Sequence, residues 1–319
     1  MSWRAWRYRA EYVAFRLLLC VWQCLSPRQC VRLAEGLAWF IHHCLPRRLT
    51  RYEVARGNLQ QALGPKATEA EIDAAIHGMW VHLFRLLAEI AHVSRKLHHH
   101  SLLDVIDFRN KSVVVDALLS GRPVLLLSGH FGNWEIAISV FGHFGFPMGV
   151  VARDLENPLL DCWFRRFRQS TGHHLIGKKD FDQMTGLLEQ GACFALLGDQ
   201  DAGKGGLFVD FFDKPASTPK TIALLALEYD ALICVGYARR LNEPADWVRY
   251  ELGCEDIIDP REISADDPIR EITQRYTSAL ERVVRRSPEQ YFWLHKRWKS
   301  QPGDRAARRK QRAAARKAG

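Results

Sequence analysis

The stretch Val124-Leu-Leu-Leu-Ser-Gly-His130-Phe-Gly-Asn-Trp-Glu135 constrains this chain more than any other part of it. Val124 to Ser128 are apolar or small and lack helical spacing, which predicts a short strand buried on both faces. Gly129 and Gly132 allow the backbone to turn sharply after it. Asn133 is placed to cap the apolar helix that follows, Ile136 to Val140. His130 then sits where the strand gives way to a loop. Glu135 falls in the first helical turn, where the dipole favours a carboxylate. On one continuous helix this spacing would hold the two apart around the axis, but a helix that starts between them lets them converge. An imidazole beside a carboxylate at a strand end can work as an oriented general base. A histidine in such a place is also commonly a hydrogen-bonded structural residue, so the motif alone leaves both roles open.

Further strands alternate with helices through the centre of the chain. Gly149 to Ala152 reads as a strand with Arg153 at its end. Asn157-Pro158 opens a helix to about Ser170 that carries Arg165, Arg166 and Arg168, since proline suits a first helical turn. Ala192 to Leu197 is another continuous apolar strand, ending in Gly198-Asp199-Gln200-Asp201. Leu207 to Phe212 reads as a loop or short strand. Ser217 or Thr218 caps a helix running to about Tyr229. Leu232 to Ala238 and Trp247 to Leu252 read as an antiparallel pair. The predicted fold class is therefore α/β, with a mixed central sheet flanked by helices. Functional groups gather at the carboxyl ends of strands in such sheets. His130, Arg153 and Asp199 are accordingly expected to converge. An arginine there, Arg153, can hold a phosphate or a developing oxyanion; the arginines of the helix read by themselves as a solvated face.

Four blocks carry a resemblance. They are His130-x4-Glu135; Val151-Ala-Arg153-Asp-Leu-Glu-Asn157-Pro158; Leu197-Gly-Asp199-Gln200-Asp201 with Val209 to Ala216; and Pro288-Glu-Gln-Tyr-Phe-Trp-Leu-His-Lys-Arg-Trp-Lys. In this order, over residues 10–302, they resemble the lipid A biosynthesis (late) acyltransferases of the His-x4-Asp/Glu glycerolipid acyltransferase superfamily. The resemblance implies that His130 and Glu135 are catalytic. It implies that Arg168 matches the functional arginine of the second block and Asp199 the acid of the third. An acyl carrier protein thioester is the implied donor, with acyl-CoA as the alternative, and a lipid A precursor or related glycolipid is the implied acceptor, with another lysolipid or glycolipid as the alternative. The implied location is the inner (cytoplasmic) membrane, with the active site on the cytoplasmic side.

Charge and hydropathy bear on partners. The net charge of +9 is concentrated at the ends: residues 1–51 hold nine arginines and two glutamates, and residues 305–319 five arginines and two lysines with no acid. Basic ends suit an anionic membrane surface or an acidic carrier protein. No nucleic-acid motif accompanies them, so nucleic acid is not expected as a partner. Tyr12 to Leu25 is apolar apart from Arg16 and Gln23, shorter than the ~20 residues of a usual spanning helix. With Trp3, Arg4, Trp6 and Arg7 before it, it is expected to be a membrane-seated helix, as a tilted anchor or lying in the interface. The expected organisation is membrane-associated helices over 1–45, one α/β domain over 46–302 and a flexible basic tail over 303–319. The eight cysteines form no C-x-x-C pair and read as buried free thiols. His98-His99-His100 reads as a solvated loop, and neither a metal nor a cofactor is expected.

The mechanism expected from these residues is direct attack. His130 takes the proton of an acceptor hydroxyl, Glu135 orients the imidazole, and the hydroxyl attacks a thioester without an acyl-enzyme. There is no G-x-S-x-G elbow and no cysteine beside His130 to serve as nucleophile. Asn133 and the backbone N–H groups near Gly132 are the expected substrate and oxyanion contacts. Two rivals remain at the level of sequence. One is a metal-dependent membrane glycosyltransferase using Asp199 and Asp201. The other is a membrane- or nucleic-acid-binding protein built on the basic ends.

Overall fold

The computed structural model of the chain describes residues 2–97, 101–152, 154–177, 180–241 and 249–303. Arg153, the histidine triplet and the tail from 304 onward, each the subject of an expectation from sequence, lie outside the described residues. In chain order the elements are α1 (Trp3–Cys24), α2 (Pro27–Cys44), α3 (Tyr52–Leu63), α4 (Glu69–Lys96), α5 (Leu102–Val105) and β1 (Ile106–Arg109). Then come α6 (Lys111–Leu119), β2 (Val124–Ser128), α7 (Trp134–His143), β3 (Gly149–Ala152), α8 (Pro158–Gln169), β4 (His174–Gly177), α9 (Phe181–Glu189) and β5 (Cys193–Leu197). The chain continues through β6 (Leu207–Phe211), β7 (Lys214–Thr218), α10 (Thr221–Glu228), β8 (Leu232–Leu241), β9 (Arg249–Ile258) and α11 (Pro268–Arg286).

One seven-stranded sheet organises these elements, in the order β1-β9-β8-β2-β5-β3-β4. All neighbours run parallel except the antiparallel pair β8 and β9, so the sheet is mixed as expected. β2 lies at its centre, and its alternation explains both layers. Leu125 and Leu127 are fully buried against α10, α11 and α9, through Ile222, Ile272, Tyr276 and Leu188. Leu126 points to the other face, under α6 and α7. α11 buries Ile272, Tyr276, Ala279 and Val283, three to four residues apart, so a single helical stripe serves two core clusters.

Two local expectations need correction. Ser217 and Thr218 do not cap a helix; they end β7, and α10 begins at Thr221. β7 pairs with β6 as a separate antiparallel hairpin, turned by Phe212 and Asp213, both with positive φ. Cys20, Cys24, Cys44 and Cys162 are exposed rather than buried.

α1 and α2 pack on α4, burying Leu19, Trp22, Cys30 and Ala34 with Ala88 and Ala91. α1 also rests on α8, where Phe15 meets Trp163 edge-on at 4.9 Å and Arg7 pairs with Glu156 at 2.8 Å. Its opposite side leaves Trp3, Trp6, Val13, Leu17 and Val21 exposed, and α2 exposes Trp39 and Phe40. No helix among the described residues is long and apolar enough to cross a membrane.

Candidate active site

Strand register builds the site. β2 and β5 are parallel neighbours, with Ser128 opposite Leu197. The Gly198 N–H donates to Ser128 O at 3.0 Å and carries the pairing one step beyond the strands. His130 and Asp199, each two residues past its strand, therefore emerge side by side. His130 Nδ1 lies 2.8 Å from Asp199 Oδ1, and the His130 backbone N–H donates to Asp199 Oδ2, also at 2.8 Å. Asp199 is buried and His130 is open at its other edge, with a side chain 22% exposed. Because a carboxylate can only accept, Nδ1 carries the hydrogen and Nε2 presents its lone pair outward. Trp134 stands edge-on to the imidazole at 5.2 Å, and Phe292 flanks it at 6.1 Å.

Burial disfavours the imidazolium, but the Asp199 charge and hydrogen bond outweigh it, with a lesser contribution from Glu135. The His130 pKa is raised above its ordinary value. Asp199 answers in the opposite sense: burial works against its charge, and His130 overcomes this and lowers its pKa. Tyr291 faces the same carboxylate, and burial followed by that charge pushes its phenol well up.

The orienting bond expected of Glu135 is thus made by Asp199. Glu135 is buried in the first turn of α7, where it accepts two bonds from Arg168: Nη2 to Oε1 at 2.6 Å and Nε to Oε2 at 3.0 Å. Burial opposes the Arg168 charge less than Glu135 supports it, and its pKa is raised. Asp199, expected to meet substrate, instead lies beneath the histidine. Asn133 caps α7 by accepting from the Ile136 N–H at 3.1 Å and is fully buried, so it faces the core rather than a substrate.

The expected oxyanion donors are also taken. The Gly132 N–H donates to Gln290 O and the Asn133 N–H to Ala238 O, both at 2.9 Å. Gly132 has φ +57°, and a Cβ there would overlap the Ala238 carbonyl. The loop is therefore clamped between the end of β8 and the closing segment, where the Phe292 N–H donates to His130 O at 3.0 Å.

A buried polar network that sequence reasoning missed secures this clamp. Glu89 of α4 accepts from Arg240 Nε at 2.6 Å, from Arg240 Nη2 and Asn133 Nδ2 at 2.9 Å each, and from the Tyr250 hydroxyl. Arg240 Nη1 lies 2.7 Å from His82 Nδ1, and His82 Nε2 lies 3.2 Å from Gly132 O. Burial and the Arg240 charge hold the His82 pKa far down, so it is a neutral imidazole donating to that carbonyl. No local pattern marks these residues, because their partners come from four distant elements. Gln200 is a further residue that sequence reasoning does not single out, although it stands between Asp199 and Asp201. Its Nε2 lies 3.3 Å from His130 Nε2.

The Asp-x-Asp pair needed by a metal-dependent glycosyltransferase is split. Asp199 faces His130, whereas Asp201 accepts from the Ser300 hydroxyl at 3.1 Å and the Gly203 N–H at 3.2 Å. Among the described residues, no group of three or more His, Cys, Asp or Glu side chains is placed to hold a metal ion.

Beside the histidine an apolar cavity of about 380 Å³ opens between the sheet and helices α6 and α7. It reaches Ser128, Trp134 and Leu197, which neighbour His130, and extends to Val114, Leu118 and Cys254.

The family model for bacterial lipid A biosynthesis acyltransferases matches residues 3–300. The chain belongs to that family. The lipid A biosynthesis palmitoleoyltransferase of Escherichia coli is 29% identical over 58% of this chain and 59% of that protein. The lauroyltransferase of the same organism is 29% identical over 59% of this chain and 60% of its own length. The matched segment thus spans less than two thirds of these curated relatives. The phosphatidylinositol mannoside acyltransferase of Mycolicibacterium smegmatis is 28% identical over 57% of this chain and 60% of that one. A solved 1-acyl-sn-glycerophosphate acyltransferase from Thermotoga maritima superposes at TM-score 0.38 with 12% identity, covering 81% of this chain and 97% of that one. For a lipid A biosynthesis acyltransferase family member, the His130–Glu135 motif falls on a strand-loop-helix junction beside an apolar cavity.

Proposed function

We propose that this protein is a membrane-associated O-acyltransferase that moves a fatty acyl chain from a carrier-protein or coenzyme A thioester to a hydroxyl of a lipid A precursor or related glycolipid. The observation that carries this reading is an outward-facing imidazole nitrogen, backed by a buried carboxylate, against Trp134, which lines an apolar cavity. His130 Nε2 takes the proton of the acceptor hydroxyl, and Asp199 stabilises the imidazolium that forms. The hydroxyl attacks the thioester carbonyl directly. Nε2–H then returns the proton to the departing thiolate. The cavity holds the acyl chain. An apolar cavity of ~150 Å³ accepts a six-carbon ring, or ~25 Å³ per carbon. At that rate 380 Å³ takes a chain of about 15 carbons.

Glu135 and Arg168 join α7 to α8. In this reading they set the position of the loop and of the acceptor rather than exchange the proton. Arg153 retains its proposed place as a cation for an acceptor phosphate. The exposed tryptophans and arginines of α1 and α2 seat the protein in the headgroup region of an anionic membrane, on the cytoplasmic side of the inner membrane. The opposite side of α1 rests on α8, the helix that carries Arg168.

The test is mass spectrometry of lipid and lipopolysaccharide extracts from cells expressing the wild type or His130→Ala at matched levels. A species heavier by one acyl chain is expected only with the wild type, and its fragments would name the acceptor. Acyl transfer by folded His130→Ala protein would end this mechanism.

A further inference from the structure

The clamped loop raises a chemical question about the proposed acyl transfer, and the role inferred below for Gln200 rests on that reaction. A tetrahedral intermediate places a negative oxygen near His130, and such oxygens are held by preorganised N–H donors. Four consecutive backbone donors around the histidine are already used: His130 on Asp199, Phe131 on Gly129 O, Gly132 on Gln290 O and Asn133 on Ala238 O. Arg168 is held by two bonds to Glu135. The Asn133 amide is bound to Glu89 and Tyr250 inside the core. Among the described residues, the side-chain amide pointed at the reacting nitrogen is that of Gln200.

The position of Gln200 is fixed from both sides. The preceding residue, Asp199, is buried beneath His130. The Asp201 N–H donates to His295 Nε2 at 3.0 Å, and the Ala202 N–H to Ser217 O at 3.1 Å. An amide on such an anchored backbone needs only a side-chain rotation to change partners, so little reorganisation opposes its use in the transition state. Its orientation follows from chemistry as well. With Nδ1–H committed to Asp199, Nε2 can only accept, so Gln200 must present its NH₂.

We propose that Gln200 is a catalytic residue that donates to the developing oxyanion. Without substrate its amide occupies the place of the acceptor hydroxyl on Nε2. The incoming hydroxyl displaces it, and the freed N–H turns to the thioester carbonyl oxygen a short distance away. As the hydroxyl oxygen bonds to the carbonyl carbon, its proton passes to Nε2 and the carbonyl π pair moves to oxygen, where Gln200 binds it. Return of that pair breaks the C–S bond, and the thiolate takes the proton from Nε2. The amide is a donor throughout and is itself unchanged.

The experiment compares wild type, Gln200→Met, which keeps the length but removes the donor, and His130→Ala. Each is purified in full length and assayed with dodecanoyl and hexadecanoyl thioesters of carrier protein and of coenzyme A, with a lipid A precursor as acceptor. Gln200→Met is expected to lower kcat by about 10²–10³-fold, with both KM values within about threefold of wild type. Histidine-selective NMR titration of the substrate-free protein supplies a readout independent of turnover. An N–H donated to Nε2 favours the neutral ring, so its removal should raise the His130 pKa. A kcat loss below about threefold would give the oxyanion to the first N–H groups of α7 and overturn the proposal. So would a loss confined to KM, or a His130 pKa unmoved by Gln200→Met. A wild type that transfers no acyl group from any of these donors would instead defeat the parent reading, and this one with it.

Discussion

Asp199 holds the imidazole of His130 from 69 residues away in the chain, at 2.8 Å, and Glu135, only five residues along, does not. The two carboxylates of the site divide its work. Asp199 fixes the tautomer of the His130 imidazole and favours its charged form, and Glu135 ties α7 to α8 through Arg168. This division, the clamped loop and the cavity lead to four expectations.

Asp199→Asn should remove the stabilised imidazolium and allow the wrong tautomer. In a comparable base–carboxylate arrangement this costs ~10⁴ in kcat, and a loss of about 10³–10⁴ is expected here. The pH dependence has a definite sign. General-base activity needs neutral His130, so kcat/KM should fall as pH drops through a His130 pKa above the usual 6.5. Asp199→Asn should move that limb to lower pH. Stability runs the other way. The raised His130 contributes stability that is full below its unfolded pKa and is lost as pH rises through the folded value. The lowered Asp199 contributes stability that is lost only as pH falls through its own folded value. Melting temperatures measured from about pH 5 to 9 should therefore decline toward the alkaline end in the wild type and flatten in Asp199→Asn.

Breaking the Glu135–Arg168 pair from either side should cost more than breaking it from both. Glu135→Gln leaves a guanidinium whose side chain is 22% exposed, so the penalty is smaller than for a fully buried partner, roughly 1–3 kcal/mol. A double-mutant cycle with Arg168→Met, followed by denaturant titration, should show favourable coupling. Equal and additive losses would mean that the two residues act independently.

Gly132→Ala should be among the most damaging small substitutions in the chain. The new Cβ would meet the Ala238 carbonyl in a backbone held at φ +57°. The loop would have to leave β8 and the closing segment together. A loss of about 2–4 kcal/mol is expected from strain and broken hydrogen bonds, visible as a lower melting temperature before any assay is run. Wild-type stability in Gly132→Ala would refute the clamp.

Ala137→Leu should shorten the preferred acyl chain. Ala137 lines the cavity from α7, and leucine adds three carbons to that wall. At ~25 Å³ per carbon, the preferred donor should lose about two to four carbons. Competition between dodecanoyl and hexadecanoyl donors, read by mass spectrometry, would register the shift. An unchanged ratio would place the acyl chain elsewhere.

Much of the site was legible because it is local. A buried strand, two glycines, a capping asparagine and an apolar helix lie within a few residues of one another, and each follows from short-range sterics and hydrogen bonding. The alternating pattern likewise predicts a mixed sheet, and the opposed burial of Leu125 and Leu126 is its direct consequence. Chain composition also marks the apolar and basic character of α1 and α2. Pairing across the sheet is not local. Sequence alone offers His130 two carboxylates, and only the placement of β5 beside β2, in register at Ser128 and Leu197, delivers the distant one. Likewise, nothing near Gly132 and Asn133 indicates that their N–H groups meet Gln290 and Ala238, because those acceptors arrive with the chain's last segment and with β8. The strand, turn and capped helix are properties of a few adjacent residues. The partner of His130, the backbone N–H groups already bonded and the amide left at Nε2 follow from which strands and segments become neighbours, and that is set by burying the whole core at once.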